Sequence, residues 1–161
     1  MDAIELLKKQ HRMVEDLFEQ LEEAEGEEKA DLFARLADSF LVHCRIEEEI
    51  FYPAVYEERT EEELREAVEE HLQAKRILAD MLDMDESDAQ WAAKCAVLRE
   101  DIQHHVKEEE NELFPQVQKD FPRKRLGELG REMSVRAGEI EQEGEPRNLV
   151  FDETEAAVLP V

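Results

Sequence analysis

Residues 43–53 read HCRIEEEIFYP, and residues 105–115 read HVKEEENELFP. Each copy begins with a histidine, carries a glutamate four positions later, and ends with an aromatic residue before a proline. A lone histidine precedes each copy at a similar distance, because His11 lies 32 residues before His43 and His71 lies 34 residues before His105. The chain therefore contains two equivalent half-sites, each with two histidines and one glutamate.

The spacing of these residues predicts that they share helix faces. Residues four apart lie on one face of a helix, so His43 is paired with Glu47 and His105 with Glu109. All four histidines also occupy positions in apolar stripes with spacings of three and four, which are typical of amphipathic helices. The stripe around His11, for example, contains Ile4, Leu7, Val14, Phe18 and Leu21. The polar residues are therefore expected inside a helical core.

The fold class predicted from composition and periodicity is all-α. The chain has 161 residues, 42% of them hydrophobic, with five glycines and five prolines, which suits one compact helical domain. Helices are predicted over about residues 2–24, 28–52, 60–82 and 88–115, and they form an up-down-up-down four-helix bundle within residues 1–120. An additional helix is expected over residues 121–143. Residues 144–161 are expected to be a flexible, loosely docked tail, or alternatively a segment that binds a protein partner.

Charge and termini exclude several function classes. There are 44 acidic and 20 basic residues, and the net charge of −24 repels phosphate backbones and anionic lipids. Nucleic acid and membrane are therefore not expected as partners. Without a secretory signal or a membrane-spanning apolar run, a cytoplasmic protein is predicted. Cys44 and Cys95 are interpreted as reduced thiols, since two distant cysteines make neither a zinc knuckle nor a disulfide framework.

The six repeated polar residues indicate a metal site. A buried ionised carboxylate without a partner costs several kcal/mol, so the two glutamates need compensation. Histidines surround them as neutral donors, which suits a divalent cation, and mixed imidazole and carboxylate ligation favours iron or manganese over structural zinc. We expect two metal ions with bridging glutamates. The predicted ligands are His11, His43, Glu47, His71, His105 and Glu109. The alternative is that each histidine is a hydrogen-bonded core residue.

The sequence over about residues 1–120 resembles the hemerythrin-like, or HHE cation-binding, family of bacterial type. The resemblance rests on His11, His43-x-x-x-Glu47-Glu48, His71 and His105-x-x-x-Glu109-Glu110, with a proline closing each motif. It implies a non-haem di-iron centre, with the four histidines as ligands, the two glutamates as bridges, and an oxo or hydroxo bridge. By the same resemblance, manganese is the less favoured metal.

The resemblance also indicates which small molecule the metal centre binds or reacts with. The oxygen-carrying hemerythrins of invertebrates have a further histidine where this chain has Lys75. The remaining, more symmetric set resembles bacterial members linked with nitric oxide, iron–sulfur repair or peroxide. The form His-x-Arg-x-Glu-Glu-x-x-x-Tyr-Pro is similar to actinobacterial members, some of them associated with hydrogen peroxide breakdown. The predicted function is catalase-like peroxide decomposition in oxidative stress defence. The alternatives are binding or sensing of dioxygen, nitric oxide or iron, including iron–sulfur repair, and a purely structural acidic bundle.

Tyr52 is the predicted catalytic residue, because its counterpart in the second copy is Phe114. An ideal helix turns Tyr52 away from His43 and Glu47, which leaves two interpretations open. The ring packs before Pro53 with its hydroxyl near water, or a loosened helix end lets the phenol reach the metal as a ligand or as a proton and electron donor.

Five side chains near the motifs have simpler interpretations. Glu48 and Glu110 are expected to face solvent or to hydrogen-bond the site from outside. Lys75 is expected to be a solvated lysine, with a position at the entrance of the site as the alternative. His104 and Glu108 repeat the four-residue spacing but lie off the apolar stripe, so we expect a surface pair.

Overall fold

The computed structural model describes residues 1–159, and this range is predominantly helical without a β-strand. Short loops join α1 to α2 and α4 to α5, which makes the joined helices antiparallel neighbours. The predicted all-α bundle with an extra C-terminal helix is confirmed. In chain order the elements are α1 (Ala3–Glu23), α2 (Gly26–Ile46), the π-helical turn π1 (Glu47–Phe51), α3 (Tyr52–Ala54), α4 (Glu61–Leu82), α5 (Ala89–Glu108), the π-helical turn π2 (Glu109–Leu113), α6 (Phe114–Asp120), α7 (Arg123–Gln142) and a 3-10 helix (Pro146–Asp152).

Local signals at the chain start fix the first two helices. Asp2 and Glu5 form a capping box in which each side chain accepts the backbone N–H of the other residue at 2.9 Å. Gly26 has a φ of 60°, a conformation that favours glycine, where the chain reverses between α1 and α2. The reversal returns α2 along α1, so His11 and His43 are brought to the same level of the bundle.

Two hydrophobic clusters pack above and below a polar layer. One cluster contains Ile4, Leu7, Ile46, Phe51, Leu64 and Leu113, and the other contains Val14, Phe18, Phe40, Leu78, Leu98 and Trp91. Along α1, α2 and α4 a histidine lies between residues of the first cluster and residues of the second, and His105 on α5 lies between Ile102 of the second cluster and Leu113 of the first. The apolar clusters therefore hold four imidazoles at one level and shield them from both ends.

The predicted extra helix is α7, which packs on α1 and α2 through the expected residues. Its buried side chains include Leu126, Leu129, Met133 and Ile140. A β-carbon at Gly130 would lie 2.4 Å from the carbonyl oxygen of Met1, so only glycine allows α7 to approach the start of α1 this closely. The predicted division of the chain at residues 120 and 143 into separate parts stays a prediction.

The segment after Gly144 is packed more closely than the loosely docked tail expected from the sequence. Val150 is fully buried in the second cluster, and Leu159 is buried in the first. Arg147 donates from its backbone and its guanidinium to Asp38, at 2.8 and 2.9 Å. These apolar residues are spaced for a 3-10 helix and extended chain, so a search for α-helical stripes does not register them, and the flexibility of the segment stays a prediction. Residues 160–161 of the predicted tail lie outside the described residues.

The helix predicted to stop near Pro115 continues instead as α6 to Asp120. Pro115 falls in the first turn of α6, where a missing backbone N–H does no harm, because π2 has already shifted the hydrogen-bond pattern.

Among the described residues, no helix combines the length and apolar character needed to cross a membrane. Cys44 and Cys95 form no disulfide.

Candidate metal centre

The structure brings all six predicted ligands into one buried layer. None of them is more than 4% exposed. The long helices α1, α2, α4 and α5 each supply one histidine, and the π-helical turns π1 and π2 each supply one glutamate. The six residues are His11, His43, Glu47, His71, His105 and Glu109.

Each glutamate lies between histidines of both half-sites. Glu47 Oε1 is 2.5 Å from His43 Nε2 and 3.5 Å from His71 Nε2. Glu109 Oε1 is 3.3 Å from His11 Nε2 and 3.2 Å from His105 Nε2. This crossed arrangement places each carboxylate where it can bridge two cations.

The donor atoms fall into two groups of three. His11, His43 and Glu109 offer donor atoms within 4.8 Å of one another, as do Glu47, His71 and His105. One group draws its histidines from α1 and α2, and the other from α4 and α5. Each group therefore provides two imidazoles and one carboxylate for one cation, with a second carboxylate nearby.

Several of these inward-facing atoms lack a hydrogen-bond partner within the described part of the chain. They are His11 Nε2, His43 Nε2, Glu109 Oε1 and both carboxylate oxygens of Glu47. The atoms approach one another, but not with hydrogen-bond geometry. Buried polar atoms without partners are costly, and buried carboxylates more so. A pair of divalent cations fits this donor set, and the mixture of imidazole and carboxylate is the one that suits iron or manganese.

The outer nitrogen of every histidine in the layer has an acceptor. Because each Nδ1–H donates outward, each Nε2 can present a lone pair to a metal. The four contacts are His11 to Glu110 at 3.2 Å, His43 to Gln10 at 2.7 Å, His71 to Glu48 at 2.8 Å, and His105 to Glu70 at 2.9 Å.

The outer acceptors follow the internal repeat. Glu48 and Glu110 each directly follow a central glutamate and support the site from outside, which is one of the two roles expected for them. Gln10 and Glu70 were missed by sequence reasoning. Gln10 directly precedes His11 and accepts from His43, and Glu70 directly precedes His71 and accepts from His105. A search of the positions beside each histidine for acceptors would have found both.

Comparison with known proteins identifies the family. Residues 2–117 match the model of the family described as "Hemerythrin HHE cation binding domain". The chain belongs to this family. The resemblance noted in the sequence is thereby confirmed, and the match implies cation binding by this HHE domain.

Two relatives illustrate the similarity. A hemerythrin HHE cation binding domain-containing protein from Mycobacterium kansasii has the same fold, with a TM-score of 0.77 and 24% identity over 96% of this chain and 95% of that one. A protein named DNA nickase from Nostoc sp. (strain PCC 7120 / SAG 25.82 / UTEX 2576) is 22% identical over 143 residues, which cover 88% of this chain and 41% of the relative. The HHE domain thus spans about two fifths of that relative's length.

Burial and the neighbouring carboxylates together set the pKa values of the histidines in the metal-free HHE domain. Burial opposes a charge on His105, but Glu109 and Glu70 outweigh it and raise the pKa of His105 to about 9. Burial lowers the pKa of His43, whose outer partner is the neutral amide of Gln10. Hydrogen bonds from His11 and Arg12 lower the pKa of Glu110 to about 2. Glu110 therefore stays ionised at neutral pH.

The turn π1 directs Tyr52 into the site. The amide of Tyr52 donates to the carbonyl of Glu47, five residues earlier, so the widened turn brings both side chains to the same side of the helix. The buried Tyr52 hydroxyl donates to Glu109 Oε2 at 2.8 Å and lies 3.4 Å from His71 Nε2. Its ring stacks on His71, with centroids 5.7 Å apart. The phenol lies inside the layer, and its role as a catalytic residue stays a prediction.

Phe114 occupies the equivalent place in the second copy. Its amide donates to the carbonyl of Glu109 across π2, and its ring stacks on His11 with centroids 5.9 Å apart. The two aromatic residues thus cover opposite sides of the layer in the same way. The Tyr52 hydroxyl is the polar group by which the two sides differ at this position.

The expectation that Lys75 is solvated was wrong. Lys75 is 4% exposed, and its Nζ donates to Glu48 Oε2 at 2.9 Å and lies 3.5 Å from Glu153 Oε1. It lies one turn after His71 on the inner face of α4, where these carboxylates compensate the buried ammonium. Lys75 therefore supports the outer acceptor of His71.

His104 forms the expected surface pair with Glu108, at 3.0 Å.

Proposed function

We propose that this HHE domain holds two iron ions and reacts with small oxidants, with hydrogen peroxide decomposition as the favoured reaction. The observation that supports the centre is the set of buried, inward-facing donor atoms without partners. The proposed ligands are His11, His43, Glu47, His71, His105 and Glu109, with both glutamates as bridges and manganese as the less favoured metal. Bound iron would supply the electrons and an open position for a small oxygen species.

The chain's own contribution to this reaction is control of water and protons. Burial, together with Glu109 and Glu47, raises the pKa of Tyr52 well above its ordinary value, so the phenol keeps its proton. That proton is shared with Glu109 Oε2 across 2.8 Å. Converting two molecules of hydrogen peroxide into two of water and one of dioxygen requires local proton movement and no external reductant. A buried phenol hydrogen-bonded to a bridging carboxylate suits that requirement.

A second candidate function is sensing of dioxygen, nitric oxide or iron, including a part in iron–sulfur repair. The observation in its favour is a continuous polar path from the layer to the C-terminal segment. His71 donates to Glu48, Glu48 accepts from Lys75, and Lys75 approaches Glu153, which also pairs with Arg45 at 3.3 Å. A change at His71 would reach a surface segment by this path. A protein partner of that segment belongs to this proposal.

DNA cleavage is not proposed, although one relative is named a DNA nickase. The net charge of −24 opposes binding of a phosphate backbone, and the chain spans only 41% of that relative.

The test is oxygen evolution after peroxide is added to the iron-loaded chain, compared with Tyr52→Phe. We expect two irons per chain, steady oxygen release, and a loss of about a hundredfold in rate for Tyr52→Phe, the lower end of the range for loss of a proton-transfer group. Phenylalanine already occupies the equivalent position 114, so the variant should fold. Tyr56→Phe removes a hydroxyl away from the layer and is the matched control, with an unchanged rate.

The results distinguish the candidates. A persistent coloured adduct without oxygen release supports sensing over decomposition. An unchanged absorption spectrum and rate in Tyr52→Phe remove the catalytic role of the phenol, and a chain that binds no iron contradicts the whole proposal.

A further inference from the structure

A second group of metal-ligating side chains lies outside the buried layer. His104 Nε2 is 3.0 Å from Glu108 Oε1 and 3.6 Å from Glu70 Oε2. One donor atom from each of these residues lies within 4.8 Å of the others, and His104 is 66% exposed. We call Glu70, His104 and Glu108 the outer triad. One imidazole and two carboxylates at the surface form a donor set for the same divalent metals as the buried layer, but with fewer ligands and free access from solvent.

The outer triad is directly connected to the buried layer. Glu70 uses one carboxylate oxygen toward His104 and the other to accept from His105 Nδ1, at 2.9 Å. Two adjacent histidine–glutamate pairs, each with a spacing of four residues, take opposite directions here. His104 and Glu108 face outward, whereas His105 and Glu109 face inward. A cation at the triad would therefore be one side chain away from a ligand of the centre.

A small cavity continues from the triad toward the centre. Its volume is about 20 Å³, which is space for about one water molecule or one bare ion. Glu109 lines it and is 2% exposed, and the Oε1 atom of Glu109, which lies in the layer between His11 and His105, has no hydrogen-bond partner within residues 1–159. The lining glutamates are Glu63, Glu66, Glu70, Glu108, Glu109 and Glu112. Ala67 and Leu113 complete the lining, and no lysine or arginine of the described chain lines the cavity. Anionic walls that end on a ligand of the centre favour passage of a cation.

We propose that the outer triad is a first binding site for Fe²⁺, from which the ion passes through the glutamate-lined cavity to Glu109 and His105. The inference rests on the proposed di-iron function. A layer enclosed by hydrophobic clusters at both ends needs a polar path for a hydrated cation, which loses its water in exchange for carboxylate oxygens. A net charge of −24 raises the local concentration of cations at such an opening. The triad binds weakly and quickly, and the centre binds tightly.

The test uses the full metal-free chain and the double variant His104→Gln/Glu108→Gln. Glu70 is left unchanged, because it orients His105. Anaerobic Mn²⁺ titration followed by electron paramagnetic resonance counts tight and weak sites, and stopped-flow mixing with Fe²⁺ at limiting concentration measures the rate of uptake. Glu100→Gln is the matched control, since it removes one charge from an exposed position of the same helix without touching the triad.

We expect the wild type to bind one weak Mn²⁺ in addition to its tight ions, and the double variant to lose only the weak one. Uptake of Fe²⁺ should slow about tenfold in the double variant, in the range of electrostatic effects on association rates, and should stay unchanged in Glu100→Gln. If the double variant takes up Fe²⁺ at the wild-type rate and keeps its tight sites, the triad has no role in uptake, and the di-iron centre is unaffected by that result. Loss of tight binding in the double variant also overturns the triad's role in uptake, since the triad would then belong to the centre. A wild type without tight binding contradicts both proposals.

Discussion

Replacing Lys75 by methionine tests whether the buried ammonium stabilises the fold around the metal centre. Lys75 Nζ lies 2.9 Å from Glu48 Oε2 and 3.5 Å from Glu153 Oε1. In Lys75→Met, Glu48 keeps only the hydrogen bond from His71, and Glu153 keeps Arg45. Removing one partner of a buried ion pair costs roughly 3–5 kcal/mol. We expect the lower end, about 3 kcal/mol, because the Glu48 side chain is 22% exposed and gains water.

The loss is measured by thermal and urea unfolding of the metal-free chain at pH 7. A loss of about 3 kcal/mol corresponds to a fall of roughly 6–12 °C in melting temperature for a domain of this size. Lys94→Met is the matched control, since Lys94 pairs with Asp80 at the surface and should contribute less than about 1 kcal/mol. A Lys75→Met chain as stable as the wild type would mean that the ammonium lies in solvent, as the sequence alone suggested.

The pH dependence of the same variant gives an independent check. Burial favours the neutral form of Glu48, but hydrogen bonds from His71 and Lys75 outweigh it and lower the pKa of Glu48 to about 2. A carboxylate with a lowered pKa stabilises the folded state above its ordinary pKa of about 4.5 and loses this contribution as the pH falls toward 2. The difference in unfolding free energy between wild type and Lys75→Met should therefore be largest above pH 5 and shrink toward pH 2. A difference that stays constant over this range would refute the coupling.

Two further predictions address α7 and the metal. Gly130→Ala should lower the unfolding free energy by about 1–3 kcal/mol, because the new β-carbon meets the Met1 carbonyl oxygen at 2.4 Å and the atoms that it meets belong to the backbone, not to a flexible side chain. Gly138→Ala is the control on the same helix, because no atom lies within 4 Å of the added carbon, and its stability should equal or slightly exceed that of the wild type. If urea unfolding shows the same change for Gly130→Ala and Gly138→Ala, the close contact at Gly130 is contradicted. Adding Fe²⁺ without oxygen, at about a thousand times its dissociation constant, should stabilise the chain by about 4 kcal/mol, or roughly 8–16 °C. Glu109→Gln should lose most of this shift in a calorimetric scan, and a wild type that melts at the same temperature with and without metal would show that no metal centre forms.

The periodic part of the structure could be predicted because its signals are local. A histidine and a glutamate four positions apart share a helix face whatever surrounds them, and the apolar stripes fixed which faces turn inward. With short loops, the four histidines had to meet at similar heights, and the structure brings them together with Glu47 and Glu109. The fold and the composition of the layer thus follow from spacing.

The parts that were missed depend on contacts between distant segments. Lys75 is buried because Glu153, from a segment 78 residues later, and Glu48 both reach it, and no local pattern records that meeting. The docking of the C-terminal segment depends likewise on Asp38 meeting Arg147. The π-helical turns insert a residue into the helix without a marker in composition, so an α-helical projection turned Tyr52 away from the site and the sequence left its orientation open between two interpretations.

The internal repeat makes the difference at Tyr52 informative. The two π-helical turns present Tyr52 to His71 and Phe114 to His11 in equivalent ways, and both rings fill the same kind of space. Packing alone is therefore satisfied by phenylalanine, as position 114 demonstrates. A phenol at position 52 adds a polar group that burial penalises unless it is hydrogen-bonded, and it is hydrogen-bonded to Glu109. The hydroxyl adds nothing that packing requires, and its hydrogen bond to Glu109 supports the proposal that it takes part in proton transfer beside that carboxylate.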